Sequence, residues 1–270
     1  MGTRKGTWLP YTEPAAMSIP ATPLPPSLIA LMGETRWVFA RSLVLAVTAT
    51  SLAVLGGAVE ALPAAAGLML FAGLLVGLKR PLAGHHPYPR LGAANRITLT
   101  RAGVACLIAG RALDPAPLGS TERWVLAAFG GIALLLDGAD GWAARRQGMA
   151  SAFGARFDME TDAFAIAGFA VMVIKAAAVP CWVLAIGAMR YLYVAAGWLF
   201  PVLRLPPPAS PFADRRRKTI AVVQSLALIV ALPPATPPNW AAAACAFALG
   251  LLVYSFAADI VMQLANKAHG

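Results

Sequence analysis

The chain has 270 residues and a formal net charge of +10, with 59% hydrophobic and only 13% charged residues. A soluble globular domain carries about 25% charged residues, so this composition excludes an ordinary soluble protein. Long apolar runs recur, each close to the roughly 20 residues that a bilayer-spanning helix needs. The three cysteines show no C-x-x-C spacing, which argues against a zinc site or a disulfide framework. The sequence therefore predicts an all-α integral membrane protein.

The predicted helices follow a proline-rich amino-terminal segment. Residues 1–35 predict a flexible cytoplasmic tail, 36–80 two accessory transmembrane helices, 81–94 a cytoplasmic juxtamembrane linker, and 95–265 a six-helix core. Within the linker we interpret His85 and His86 as interface residues and not as metal ligands. The eight predicted spans are 37–61, 63–79, 96–113, 122–145, 155–179, 181–203, 217–233 and 240–264. Seven spans are the alternative, since the second is short and the first has a partly interfacial composition.

Lys and Arg residues indicate the orientation. If the amino terminus lies inside, nearly all of them fall on the inner loops, as the positive-inside rule requires. We therefore expect both termini in the cytoplasm. Because the basic residues are spread over juxtamembrane loops, we expect no nucleic-acid partner. The same residues suit anionic head groups or phosphorylated substrates.

Four aspartates interrupt the apolar pattern where the fourth and fifth predicted spans meet. They lie in DGADGWAARRQGMASAFGARFDMETD, at Asp137, Asp140, Asp158 and Asp162. Spacings of three and four residues place each pair on one helix face, and the short loop between them predicts antiparallel neighbouring helices. Carboxylates near hydrocarbon need counter-charge, and an all-oxygen cluster suits Mg²⁺ or Mn²⁺. The pattern predicts a site for two such ions.

Small and basic residues accompany this acidic face. Gly141 and Ala144 follow Asp140 along the helix, and Gly154 lies at the start of the next helix, so a bulky ligand can approach the backbone. Arg145 offers a two-pronged donor to phosphate. Together these residues predict a diphosphate pocket. The alternative is that the aspartates are solvated charges that cap helix ends.

This stretch resembles the signature of the CDP-alcohol phosphatidyltransferase family, D-x2-D-G-x2-A-R-x8-G-x3-D-x3-D. Every fixed position matches: Asp137, Asp140, Gly141, Ala144, Arg145, Gly154, Asp158 and Asp162. Upstream, ANRITLTR resembles the family's N-x-x-T-x-x-R, at Asn95, Thr98 and Arg101. The resemblance covers roughly residues 90 to 265. It implies the family's six-helix core with about two extra amino-terminal transmembrane helices.

The resemblance also implies the reaction and its residues. The donor would be CDP-linked, usually CDP-diacylglycerol, the acceptor an alcohol, and CMP the released product. The first three aspartates would hold the metal ions, and Asp162 would contribute to them and act as the base towards the acceptor hydroxyl. The CDP part of the donor is expected against Asn95, Thr98, Gly141, Ala144, Arg145, Ser151 and Gly154. We expect an enzyme of phospholipid biosynthesis in the cell inner (plasma) membrane, with a cytoplasmic active site, alone or as a homodimer.

Basic residues near the same face are candidates for binding an anionic acceptor. The segment DRRRKTIAVVQ, residues 214–224, loosely resembles a stretch of members that use phosphorylated acceptors, and a positive-inside anchor is the alternative. Arg190 lies midway along the sixth predicted span, where an arginine usually faces a cavity or a partner. Asp259 is a candidate partner for a basic residue. The acceptor candidates are Arg190, Arg215, Arg216 and Lys218. Glycerol 3-phosphate is the first hypothesis, with inositol phosphate, serine and choline open.

Two other functions fit parts of the pattern. A divalent-cation transporter with an aspartate-lined path would also need carboxylates, but transport sites usually lie near the bilayer midplane. The aspartates here are predicted at one membrane face. A structural subunit that has kept the motif is the other alternative, although no motif position is missing.

Overall fold

The computed structural model describes residues 26–57, 59–147, 149–200, 203 and 210–268, without the side chains at 26, 139–148, 211 and 266–268. Within these ranges the chain is helical and has no β-strand, which confirms the all-α fold class. The α-helices are α1 Pro26–Leu55, α2 Ala61–His85, α3 Gly92–Ala112, α4 Ser120–Gln147, α5 Ala152–Lys175, α6 Leu184–Leu199, α7 Pro211–Ala231 and α8 Pro238–Ala268. One 3₁₀ turn, Cys181–Val183, leads into α6. The predicted tail up to residue 25 lies outside the described residues.

Four of these helices are long and apolar enough to cross a bilayer. They are α1 from Ser27, α2, α6 together with its 3₁₀ turn, and α8 as far as Ala265. The other four, α3, α4, α5 and α7, contain the charged residues of the acidic and basic motifs. Ionisable groups in a bilayer face the bundle interior, so the charged groups of these four helices are expected to face one another.

Side-chain contacts between helix ends show that successive helices alternate in direction. At one end, Glu34 of α1 pairs with Arg96 near the start of α3. At the other end, Arg111 pairs with Glu122 at 2.5 Å, and the Arg123 Nε donates to the Leu232 carbonyl at 2.7 Å. We call the end at which α1, α3, α5 and α7 begin the proximal end. The four predicted aspartates all lie on the proximal parts of α4 and α5.

Two buried apolar clusters share α5 and hold the bundle together. One joins α5, α7 and α8 through residues such as Met172, Leu228 and Cys245. The other joins α1 and α2 to α3 and α5 through residues such as Leu31 and Leu99. Since lipid is as apolar as these side chains, close packing rather than water exclusion stabilises such contacts. The accessory helices are therefore packed directly against the helices that bear the site.

Each of the eight predicted segments is helical, and the largest shift in bounds is in the first. The helix α1 begins at Pro26, because proline is tolerated in a first helical turn. It ends at Leu55, before Gly57 adopts a left-handed conformation at φ 71°. The helix α2 continues beyond the predicted end at 79, since Pro81 lies in its last turns and interrupts it only locally.

Candidate active site

Three of the four predicted aspartates come together at the proximal end of the bundle. Asp137 projects from α4, and Asp158 and Asp162 project from α5 one helical turn apart. One carboxylate oxygen from each lies within 4.8 Å of the others. Each side chain is about one third exposed, at 34%, 35% and 33% respectively. The cluster is therefore both compact and accessible to a ligand. The side chain of Asp140 lies outside the described residues.

A buried arginine from a third helix lies among these carboxylates. Arg101 of α3 is only 8% exposed. Its Nη1 lies 2.9 Å from the Asp158 Oδ1, its Nη2 lies 3.1 Å from the Asp137 Oδ1, and Nη2 also pairs with Asp162. The sequence identifies Arg101 as a position of the upstream motif and predicts no role for it. Helical spacing within α3 alone does not show that this position reaches α4 and α5.

The composition of the cluster fits a divalent cation. Among the described side chains of the cluster, the guanidinium of Arg101 offsets one of three carboxylate charges, and a divalent ion would balance the other two. Carboxylate oxygens are the donors that Mg²⁺ and Mn²⁺ prefer. The one-third exposure of the aspartates leaves lone pairs open to such an ion. The residues present therefore fit the predicted metal site.

The upstream motif lies against the start of α5. The Asn95 Nδ2 donates to the Leu91 carbonyl at 2.6 Å, which fixes the orientation of the amide. The Asn95 Oδ1 lies so close to Gly154 that a Cβ on that glycine would be 2.8 Å away. Real Cβ contacts are longer than this, so any larger residue at 154 would require the Asn95 amide to move. Thr98 is buried and donates to the Ala94 carbonyl at 3.2 Å.

Ser151 is the N-cap of α5. Its Oγ accepts a hydrogen bond from the Gly154 backbone N–H at 3.0 Å and lies 3.2 Å from the His86 Nδ1. The His86 Nε2 donates to the Arg90 carbonyl at 2.7 Å. A neutral imidazole that donates through Nε2 accepts at Nδ1, so the Ser151 hydroxyl donates to His86. An N-cap of this kind stabilises a helix by about 1 kcal/mol.

His86 was predicted to be an interface residue. The structure places its side chain against Ser151, at the start of α5. It is 8% exposed and packs edge-on against Phe153. The neighbouring Tyr88 donates to the Ala150 carbonyl at 3.1 Å. The segment after the accessory helices thus holds the loop that precedes α5. The sequence of this segment, GHHPYPR, contains no motif that predicts its contact with the loop before α5.

Two of the four candidate acceptor residues are engaged with carboxylates. Arg190 of α6 pairs with Glu160 of α5 at 2.6 Å. Arg216 of α7 pairs with Asp259 of α8, which also accepts from the Arg217 Nε at 2.9 Å. The interpretation of Asp259 as a partner of a basic residue is therefore confirmed.

The other two acceptor candidates, Arg215 and Lys218, are exposed at the start of α7. The remaining predicted donor-site residues, Gly141, Ala144 and Arg145, have side-chain positions outside the described residues. A cytidine-diphosphate role for them stays a prediction.

The described residues form a membrane helix bundle with a carboxylate cluster that could hold a metal ion. The family model for CDP-alcohol phosphatidyltransferase matches residues 91–255. Because this is more than half of the 270 residues, the chain belongs to the CDP-alcohol phosphatidyltransferase family. The match confirms the resemblance seen in the motif, and α1 and α2 lie outside it. No curated protein and no solved structure matches the chain.

Membership establishes the general type of protein. The family comprises membrane transferases that use a CDP-linked alcohol and typically depend on a divalent metal ion. The three clustered aspartates are residues that such an ion could use. The chain is accordingly a membrane-embedded transferase of this family.

Proposed function

We propose that the protein transfers a phosphatidyl group, or a similar CDP-linked group, from CDP-diacylglycerol to an alcohol with release of CMP. The observation that carries the proposal is the carboxylate cluster of Asp137, Asp158 and Asp162 around buried Arg101, within the range that matches the family. The product would be a phosphodiester, which places the enzyme in phospholipid biosynthesis. Family membership favours this reaction over cation transport.

The metal ions of this reaction would be two Mg²⁺ or Mn²⁺ ions held by Asp137, Asp140, Asp158 and Asp162. When bound, they supply neutralising charge to the diphosphate oxygens of the donor. Arg101 holds three of these carboxylates close to one another in the protein described here. Its guanidinium therefore assembles the cluster before donor and metal arrive, and it limits the repulsion among the three charges.

The chemistry that the protein's own residues supply is proton acceptance and orientation. Asp162 accepts the proton of the acceptor hydroxyl as that oxygen bonds to the phosphatidyl phosphorus. The bond from this phosphorus to the bridging oxygen breaks, and CMP leaves with the electron pair. Atoms balance without a water molecule: the acceptor loses one proton, and the phosphodiester and CMP are the only products. The position of Asp162 on a rigid helix, beside Arg101, keeps its carboxylate aimed at the cluster.

Donor binding would use the residues around the α3–α5 contact. Asn95 and Gly154 meet there, and Ser151 caps the helix that carries the aspartates. We assign Thr98, Gly141, Ala144 and Arg145 to the same donor region from the motif, with the Arg145 guanidinium as the phosphate donor group.

For the acceptor we propose an anion, with glycerol 3-phosphate as the first candidate. The exposed Arg215 and Lys218 stand at the start of α7 without a carboxylate partner among the described ion pairs. Arg190 and Arg216 each leave a buried Nε without a hydrogen-bond partner in the described part of the chain. Arg215 and Lys218 offer exposed donors to a phosphate, whereas the two Nε atoms are enclosed by protein. The positive-inside distribution supports a cytoplasmic active site in the inner membrane.

The test is CMP release by the purified full chain. The protein is incubated with CDP-diacylglycerol, Mg²⁺ and a panel of alcohols, and CMP is measured by chromatography. We expect release that requires one acceptor, that is abolished by chelation, and that falls at least 100-fold in Asp162→Asn. Glu60→Gln, at an exposed position before α2 at the distal end, is the matched control and should keep its activity. Metal flux into vesicles without any CMP release would instead establish a transporter.

A further inference from the structure

A groove lies between the accessory helices α1 and α2, on the opposite side of an apolar layer from the aspartates. Its volume is about 270 Å³, close to the lower limit of about 300 Å³ for small-molecule pockets. The walls are mostly apolar and include Phe39, Leu75 and Leu82. Such a volume accommodates part of one acyl chain and not a complete phospholipid.

Polar groups distinguish this groove from an ordinary lipid-facing gap. Thr35 lines it and is 5% exposed, yet its Oγ1 has no hydrogen-bond partner among the described residues. Arg36 and Lys79 also line the groove, one from each helix.

The two cations are not neutralised by a neighbouring carboxylate of the described chain. Glu34 is the acidic residue next to them in α1, and it is engaged with Arg96 and with the Leu91 backbone N–H. The Glu34–Arg96 contact also places this part of the groove at the proximal end, level with the start of α3. The charged end of the groove therefore lies at the same membrane surface as the aspartate cluster.

We propose that this groove binds an anionic phospholipid of the surrounding bilayer. One acyl chain lies against Phe39, Leu75 and Leu82, and the phosphate lies between Arg36 and Lys79. Basic residues near a bilayer surface attract anionic lipids. A zwitterionic lipid offers the same acyl chain but less net charge. A preference for anionic lipid would therefore distinguish a specific binding site from a surface that any bilayer lipid covers.

The occupant is a bilayer lipid and not the reaction's donor, because a wall of side chains separates the groove from the aspartates. Phe39 forms part of the groove and also borders a small void lined by Asn95, Phe153 and Phe157. That void is about 10 Å³, too small for a chain to pass. The bound lipid would instead brace α1 and α2 against α3 and α5, which carry the site.

The experiment is photolabelling of the full chain in phosphatidylcholine vesicles. The probe is phosphatidylglycerol with a diazirine in one acyl chain, and labelled peptides are identified by mass spectrometry. We expect label on residues 31–43 and 75–83, displaced by unlabelled phosphatidylglycerol but not by extra phosphatidylcholine. Each basic residue contributes about five-fold in affinity, so the double variant Arg36→Gln/Lys79→Gln should label at least ten-fold less.

The matched control is Arg41→Gln/Arg80→Gln, which removes the same charge from exposed positions of the same helices outside the groove. It should label as the wild type does. Equal labelling by a phosphatidylcholine probe, or equal loss in both double variants, would overturn the proposal. Displacement by CDP-diacylglycerol at ten-fold lower concentration than by phosphatidylglycerol would identify the groove as a donor site and overturn it too.

Discussion

Replacing Arg101 by glutamine tests the central feature of the site, the arginine that holds three carboxylates together. The substitution removes one positive charge and leaves Asp137, Asp158 and Asp162 facing one another. Loss of one partner of a fully buried ion pair costs about 3–5 kcal/mol, and loss of an exposed pair about 0–1 kcal/mol. Arg101 is 8% exposed and its partners about one third. The expected destabilisation without metal is therefore about 2–3 kcal/mol.

The assay is thermal unfolding of the purified protein in detergent, with chelator and then with Mg²⁺. For a chain of this size, 2–3 kcal/mol corresponds to a fall in Tm of about 5–10 °C. Ligand that binds only the folded state stabilises it by about 2.7 kcal/mol at 100 times Kd. Since the variant has one more uncompensated negative charge, Mg²⁺ should raise its Tm by more than it raises that of the wild type.

The control is Arg96→Gln on the same helix. Its pair with Glu34 is 54% and 22% exposed, so the expected cost is below about 1 kcal/mol and independent of Mg²⁺. The reasoning is refuted if Arg101→Gln melts as the wild type does in chelator. It is equally refuted if Mg²⁺ stabilises the wild type and this variant by the same amount.

Three further predictions concern the contacts around the site. Gly154→Ala displaces the Asn95 side chain from its position in the proposed donor site and should lower kcat/KM by about 10–100-fold. Gly131→Ala, with open space around it, should have no effect in the same CMP assay. His86→Phe leaves the Ser151 cap without its acceptor and should lower Tm and activity together, and a change in neither would contradict the assigned bond. Asp259→Asn leaves Arg216 without its carboxylate partner, while Arg217 keeps its pair with Asp214. It should cost about 3 kcal/mol in a denaturation experiment; a cost near zero would show that the pair is solvated.

Much of the fold could be predicted because its signals are local. Apolar runs of membrane length and the prolines between them indicate eight helices, and each is present. The bounds of α1 and α2 were less predictable. Pro26 begins a helix and Pro81 lies within one, and composition does not distinguish these roles from a helix break. Whether each proline begins a helix, lies within one or ends one depends on how α1 and α2 pack against α3 and α5.

The acidic part of the site could be predicted for the same reason, since residues one turn apart on a helix share a face whatever the rest of the fold. The convergence of Asp158 and Asp162 follows from their spacing, and that of Asp137 from the short loop between the helices. The acceptor residues could not be predicted in this way. Whether Arg216 binds a ligand or Asp259 depends on how α7 lies against α8.

By itself, then, the sequence determined the class of protein, the helices and the acidic motif, because each is encoded in residues close together along the chain. Only the tertiary structure decided that Arg101 lies among the aspartates and that His86 supports the cap of α5. Both contacts join residues far apart in the chain, 57 and 65 positions respectively. Such contacts form because packed helices bring particular faces together, and the direction of a face is a property of the whole bundle.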